Sequence, residues 1–247
     1  MKIRDSVAFV TGANRGLGLA FAKELLGRGV KKLYAGVRNP DGVDLPGVIP
    51  VKFDVTNPAI AAVAARCNDV GLLINNAGIG RVDASALDPA VIDNAREIFE
   101  TNFYKIIRAS QAFTPVLSAN CGGAIINVLS DVTWFARPML TAHAATKSAA
   151  WSFTNALRID VRDKGIQVLA LHVHDVLAIT NAAVSDAGPH LAQELVVILS
   201  SKFGVDEPAP CQALRQDLAH SGREPIGAVM GHGLLYCAIS PLIGMRA

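Results

Sequence analysis

What the chain lacks narrows its class first. Its 247 residues include only four cysteines, Cys67, Cys121, Cys211 and Cys237, far apart and with no CxxC pair. That spacing writes neither a disulfide framework nor a thiolate metal site, and it suits a reducing, cytoplasmic compartment. An excess of one charge is also missing, because 23 basic side chains face 21 acidic ones, a net of +2. With no basic surplus to displace counterions, nucleic acid is not expected as a partner. The first residues, Met1 to Asp5, lack the apolar core and cleavage site of a signal peptide. One uncharged stretch, Pro225 to Met245, is long enough to cross a bilayer. Glycines at 227, 231, 233 and 244 and Pro241 interrupt it, so a buried tail or subunit surface is expected there, not a membrane span.

What is present points to a packed α/β chain. Hydrophobic residues make up 51% and charged ones 18%, which excludes a disordered polymer and allows a substantial core. Apolar runs at Ser6–Val10, Lys32–Val37, Val48–Phe53, Gly71–Ile74, Ala124–Val128 and Gln167–Val173 predict strands covered on both faces. Between them, Leu17–Arg28, Pro58–Arg66, Pro89–Ser118 and Ala142–Lys164 predict helices. Asn57 and Asp88 stand as N-caps before prolines, and Pro115 is expected to end or bend the third helix. This alternation predicts a single-domain, Rossmann-like, doubly wound parallel sheet flanked by helices over residues 1–247. After about Leu177 the pattern fades; Ala192–Lys202 is a further helix candidate.

The strongest motif is Thr11-Gly12-Ala13-Asn14-Arg15-Gly16-Leu17-Gly18, lying between a strand and a helix. Glycines there permit a tight turn, close backbone approach to a pyrophosphate, and close helix–strand packing. Its spacing is similar to the TGxxxGxG loop of the short-chain dehydrogenase/reductase superfamily. Asn75-Asn76-Ala77-Gly78 resembles that family's NNAG motif, and Asn102, Ser130 and Lys147 fall where it carries its catalytic asparagine, serine and lysine. The resemblance covers about Val7 to Val173. It implies carbonyl–alcohol oxidoreduction on a small-molecule substrate, taken here as small or medium and hydrophobic. It also implies a nicotinamide dinucleotide contacted by the glycine loop, by Asp54-Val55, by Asn76, Ala77 and Gly78, and by Lys147. Long helices that pair subunits in the family imply a homodimer or homotetramer. The substrate loop is implied to begin near residue 178, with residues 178–247 forming that loop and the C-terminal part.

Two features of the residues refine this picture. The second strand ends Gly36-Val37-Arg38 with no acid to bind a ribose, while Arg38 and Arg15 suit a 2′-phosphate, so NADP(H) is expected. The family's YxxxK pair is written here as His143-Ala144-Ala145-Thr146-Lys147, with histidine at the tyrosine position. None of the three tyrosines, Tyr34, Tyr104 and Tyr236, has the spacing to replace it. The catalytic set is therefore expected to be Asn102, Ser130, His143 and Lys147. A lysine cation beside an imidazole favours its neutral form, which serves as a base more readily than as an acid. That leaves a non-redox elimination, cyclisation or isomerisation, or an impaired nucleotide-binding protein, as alternatives to hydride transfer. His174 and Asp175 replace the family's Pro-Gly after the sixth strand and, with Asp131, are expected on the same rim. His172 and His174 point to one side of a strand, but no third ligand has motif spacing, so no metal is expected. No GxSxG elbow surrounds Ser130, which argues against a hydrolase.

Overall fold

Strand positions in the chain alternate between two sets of neighbours, and this sorts the core into two layers. In the computed structural model, which describes residues 3–54, 60–134 and 137–173, β1 spans Val7–Thr11. Ala8 and Val10 pack on one face of the sheet with Leu17, Phe21 and Leu25, while Val7 and Phe9 pack on the other with Phe113 and Leu117. A period of two with apolar residues at every position is the signature of a strand covered twice. Every residue of β1 is buried.

The remaining strands are β2 (Lys32–Val37), β3 (Val48–Lys52), β4 (Leu72–Asn75), β5 (Gly123–Ser130) and β6 (Ile166–Val173). They form one six-stranded sheet in the order β3-β2-β1-β4-β5-β6, and every pairing is parallel. The order reverses between β1 and β4, which opens a crevice above their C-terminal ends. Helices α1 (Gly16–Gly27), α2 (Ile60–Arg66), α3 (Val91–Phe99), α4 (Lys105–Ala119) and α5 (Thr141–Asp160) flank the sheet. Helix α1 covers one face; α2, α4 and α5 cover the other.

The expected strands and helices are found within a few residues, with three differences. The third predicted helix is divided: a π-helical turn, Glu100–Tyr104, joins α3 to α4. Helix α4 passes through Pro115 and runs one turn further to Ala119. Asp88 does not cap α3, whose N-cap is Ala90; its carboxylate instead accepts from Ala90 N at 2.8 Å and Ala84 N at 3.1 Å, closing the turn before the helix. The Asn57 cap, Val55, His174, Asp175, the helix at 192–202, two of the cysteines and the uncharged tail lie outside the described residues. Among the described residues, no helix is long and apolar enough to cross a membrane.

Candidate active site

The crevice begins at the end of β1. The Thr11 hydroxyl accepts from the backbone N–H groups of Asn76 and Ala77, both at 2.9 Å, and donates to Ile74 O at 3.3 Å. Asn76 Nδ2 returns a bond to Thr11 O at 3.0 Å, so β1 and β4 are stitched together where the order reverses. Gly12 turns the chain with φ +70°, a left-handed conformation that side chains resist, and its N–H donates to Gly36 O at 2.7 Å. Arg15 stands at the N-cap of α1 and offers no side-chain cap, which leaves the first N–H groups of the helix free for an anion.

A cleft of about 1100 Å³ runs from this loop across the sheet edge. Gly12, Asn14, Arg15, Gly16, Leu17 and Gly18 line its near end. Arg38 and Asp54 line its flank, followed by Asn76, Ala77 and Gly78. At the far end stand Ser130, His143 and Lys147, brought in by β5 and α5. Thr11 and Asn102 act from behind this wall.

Lys147 is buried, at 6% exposure, and its Nζ donates to Val128 O at 2.9 Å. Burial lowers its pKa to about 8. His143, one turn earlier on the same helix, is pushed down to about 4 by burial first and by the Lys147 charge second. The Ile79 carbonyl and Asp131 carboxylate oppose that shift without overcoming it. Its Nδ1 is enclosed and has no partner among the described residues. His143 is therefore a neutral imidazole at pH 7. The Ser130 hydroxyl donates to Asp131 Oδ1 at 3.1 Å, and Asp131 in turn meets Arg137 at 3.4 Å. Asn102, carried on the π-turn, accepts from Ile79 N and donates to Ile79 O, both at 2.8 Å. It fixes the loop after Asn76-Ala77-Gly78 and reaches Thr146 on α5 at 3.4 Å.

Three further residues complete the frame. Asp83, only 1% exposed, accepts from Ala142 N at 3.2 Å and Asn94 Nδ2 at 2.9 Å. Helix α5 has no side-chain cap of its own at Leu140, so this carboxylate from the β4–α3 loop caps it from outside. Asp83→Ala is expected to cost about 2 kcal/mol by urea denaturation, because it strands a buried N–H. Lys105 is buried at 2% exposure in α4, and burial together with the Lys147 charge holds its pKa well below the lysine range. His172 sits on β6 behind Ser130. No sequence spacing marks Asp83 or Lys105, and the spacing that paired His172 with His174 does not show its contact with Ser130, since that contact joins distant segments.

A parallel sheet in this order, with a glycine loop at its crossover and a serine, an imidazole and a lysine at the far end of one cleft, defines a dinucleotide-binding α/β enzyme fold. The family model for short chain dehydrogenases matches residues 6–188. The chain belongs to the short chain dehydrogenase family, a class of dehydrogenases and reductases.

It is 35% identical to a short chain dehydrogenase from Burkholderia cenocepacia solved in complex with NADP, with a TM-score of 0.71, covering 89% of this chain and 94% of that one. It is 30% identical to an NADPH-bound carbonyl reductase from chicken fatty liver, with a TM-score of 0.61, covering 68% of this chain and 79% of that one. A rat protein described as dehydrogenase/reductase SDR family member 7B is 31% identical over 206 residues, 74% of this chain. That match spans 62% of the rat protein's length.

Proposed function

We propose that this chain is an NADP(H)-dependent oxidoreductase interconverting a carbonyl and an alcohol on a small or medium hydrophobic substrate. The observation that carries the proposal is that Ser130, His143 and Lys147 converge at one end of a cleft whose other end is the glycine loop. The residues fit the nucleotide: α1 leaves its N-terminus uncapped, and Gly18 leaves no room for a Cβ between Gly12 O and Asn76. The bound nucleotide supplies or accepts hydride. Ser130 hydrogen-bonds the substrate oxygen, His143 exchanges a proton with it, and Lys147 holds a sugar hydroxyl and sets the field around His143. Asn102 keeps the Ile79 loop and α5 in register.

Exposed Arg15 and Arg38 line the same cleft, and the strand leading to Arg38 ends without an acid. This supports NADP(H) over NAD(H), as does the NADP found in the Burkholderia relative. Arg38→Ala is expected to weaken NADPH binding by about 10- to 100-fold and to leave NADH unchanged, as measured by titration calorimetry. Equal loss for both nucleotides would remove Arg38 from the phosphate site. The oxidoreductase reading is tested by following NADPH absorbance with a panel of ketones and aldehydes. Tight NADPH binding with no oxidation by the native chain or by a His143→Tyr variant overturns it.

One observation favours a second reading. An imidazole whose pKa is about 4 is a base, not an acid, at pH 7. His143 would then abstract a proton in an elimination or isomerisation, with the nucleotide bound but not consumed. Product formed without net NADPH loss, and abolished in His143→Ala, identifies that case. In either reading we assign residues 1–247 to one domain, with residues 178–247 forming the substrate loop and C-terminal part. We further place the protein in the cytoplasm as a homodimer or homotetramer.

A further inference from the structure

His172 is fully enclosed, at 0% exposure, on the strand beside Ser130. Its Nδ1 lies 3.1 Å from the Ser130 carbonyl oxygen and 3.1 Å from Thr133 Oγ1. A carbonyl oxygen has no proton to give, so the contact is a bond only if Nδ1 carries the hydrogen. The Thr133 hydroxyl donates to the same Ser130 carbonyl at 2.9 Å, which leaves its own oxygen able to accept. The Ser130 carbonyl therefore receives two donors at the point where β5 ends and the chain turns into the short 3-10 helix Asp131–Thr133.

The ring is held as firmly as its proton. Trp134 stacks on it, centroids 4.0 Å apart and planes 22° apart, and Trp151 of α5 meets it edge-on at 5.7 Å. These are the chain's two tryptophans, and they also pack against each other at 5.9 Å. Burial between them lowers the histidine's pKa to about 4, so the ring is neutral in the working range. Nε2, a bare lone pair in this tautomer, is enclosed without a partner among the described residues.

We propose that His172 is the positioning residue for Ser130: its Nδ1–H, donated to the Ser130 carbonyl, fixes the turn that presents the Ser130 hydroxyl to the cleft. This rests on Ser130 bonding the substrate oxygen, as proposed above. His172 touches neither substrate nor nucleotide and acts through the serine backbone alone.

Two substitutions separate the bond from the packing. His172→Phe keeps a ring between the tryptophans and removes the donor. His172→Asn places an amide N–H near the Nδ1 position and removes the ring. The full chain is assayed for NADPH-linked carbonyl reduction, and NADPH affinity is measured separately. The Phe variant is expected to lose about tenfold in kcat with NADPH affinity unchanged, while the Asn variant stays within about threefold of the native kcat despite a lower Tm. A Phe variant with native kcat, or Phe and Asn variants equally impaired, overturns the proposal.

Nitrogen-15 shifts of the His172 ring provide a readout that needs no activity. Protonation at Nδ1 supports the assignment, and an Nε2–H tautomer overturns it. If neither the native chain nor His143→Tyr oxidises the NADPH it binds while His172 shows the Nδ1–H tautomer, the oxidoreductase reading has failed and the placement of the Ser130 turn stands.

Discussion

Replacing His143 by tyrosine is expected to raise NADPH oxidation with a carbonyl substrate about 100-fold at pH 7, within the range attributed to a well-matched general acid. The cause lies in which species can give a proton. Carbonyl reduction needs a donor to the developing alkoxide. In the proposed reading His143 meets that need as imidazolium, and with a pKa of about 4 only ~0.1% of it is protonated at pH 7. Tyrosine at the same place carries its proton throughout the neutral range, and the Lys147 ammonium beside it stabilises the phenolate left behind. The sign of the pH dependence follows. Reduction by the native chain falls about tenfold for each pH unit above the His143 pKa, while the tyrosine variant holds a plateau through neutrality. Steady-state NADPH absorbance between pH 5 and 8 checks both. A tyrosine variant no faster than the native chain, or a native profile that is flat, would show that His143 is not the proton donor.

The second large effect concerns the glycine loop. A Cβ on Gly18 would stand 2.1 Å from Gly12 O and 2.5 Å from Asn76 Nδ2. Neither neighbour is free to yield. Gly12 is fixed by its left-handed turn and its bond to Gly36, and Asn76 Nδ2 is bonded to Thr11 O. Gly18→Ala must therefore push α1 away from the sheet. It is expected to cost about 3 kcal/mol, the upper range for overpacking. Because the α1 N-terminus moves with the helix, NADPH affinity should fall by about 100-fold or more. Gly27, at the other end of the same helix, has open space where a methyl would stand, with nothing within 4 Å, and supplies the control. Gly27→Ala is expected to stabilise by about 0.5–1 kcal/mol with native affinity. Urea denaturation and NADPH titration of the pair decide the matter; Gly18→Ala behaving like Gly27→Ala would sink the close-packing account.

The fold was legible because its signals are local. Strands buried on both faces are uninterrupted apolar runs, and the six lie within two residues of where the runs place them. The near end of the cleft was legible for the same reason, since Thr11 to Gly18 is one contiguous loop. The far end was legible only in part. Ser130, His143 and Lys147 stand at motif spacings, and the lysine four residues on already implies a neutral imidazole, but nothing local shows the burial that is the larger cause of a pKa of about 4. Asp83 was invisible as a site residue, and His172 was weighed only as a metal ligand, because each acts across a long gap in the chain, Asp83 on Ala142 and His172 on Ser130. The π-turn was missed because a helix that widens to i→i+5 bonding keeps its apolar stripe almost unchanged.

Thr11 carries a consequence for variation. Its hydroxyl serves three backbone groups on β4 and the turn beyond it, and the residue itself is wholly buried. Serine alone among similar-sized side chains keeps all three bonds; valine fits the volume but removes all three, leaving the Asn76 N–H with Ile74 O alone at 3.1 Å and taking the hydroxyl acceptor from Ala77 N. The exposed members of the loop, Asn14 and Arg15, are under no such restriction. Lineages of this chain can thus drift in what the loop shows to a ligand while the floor beneath it stays fixed, so new nucleotide preferences are reachable by single steps at the rim and closed off at the base.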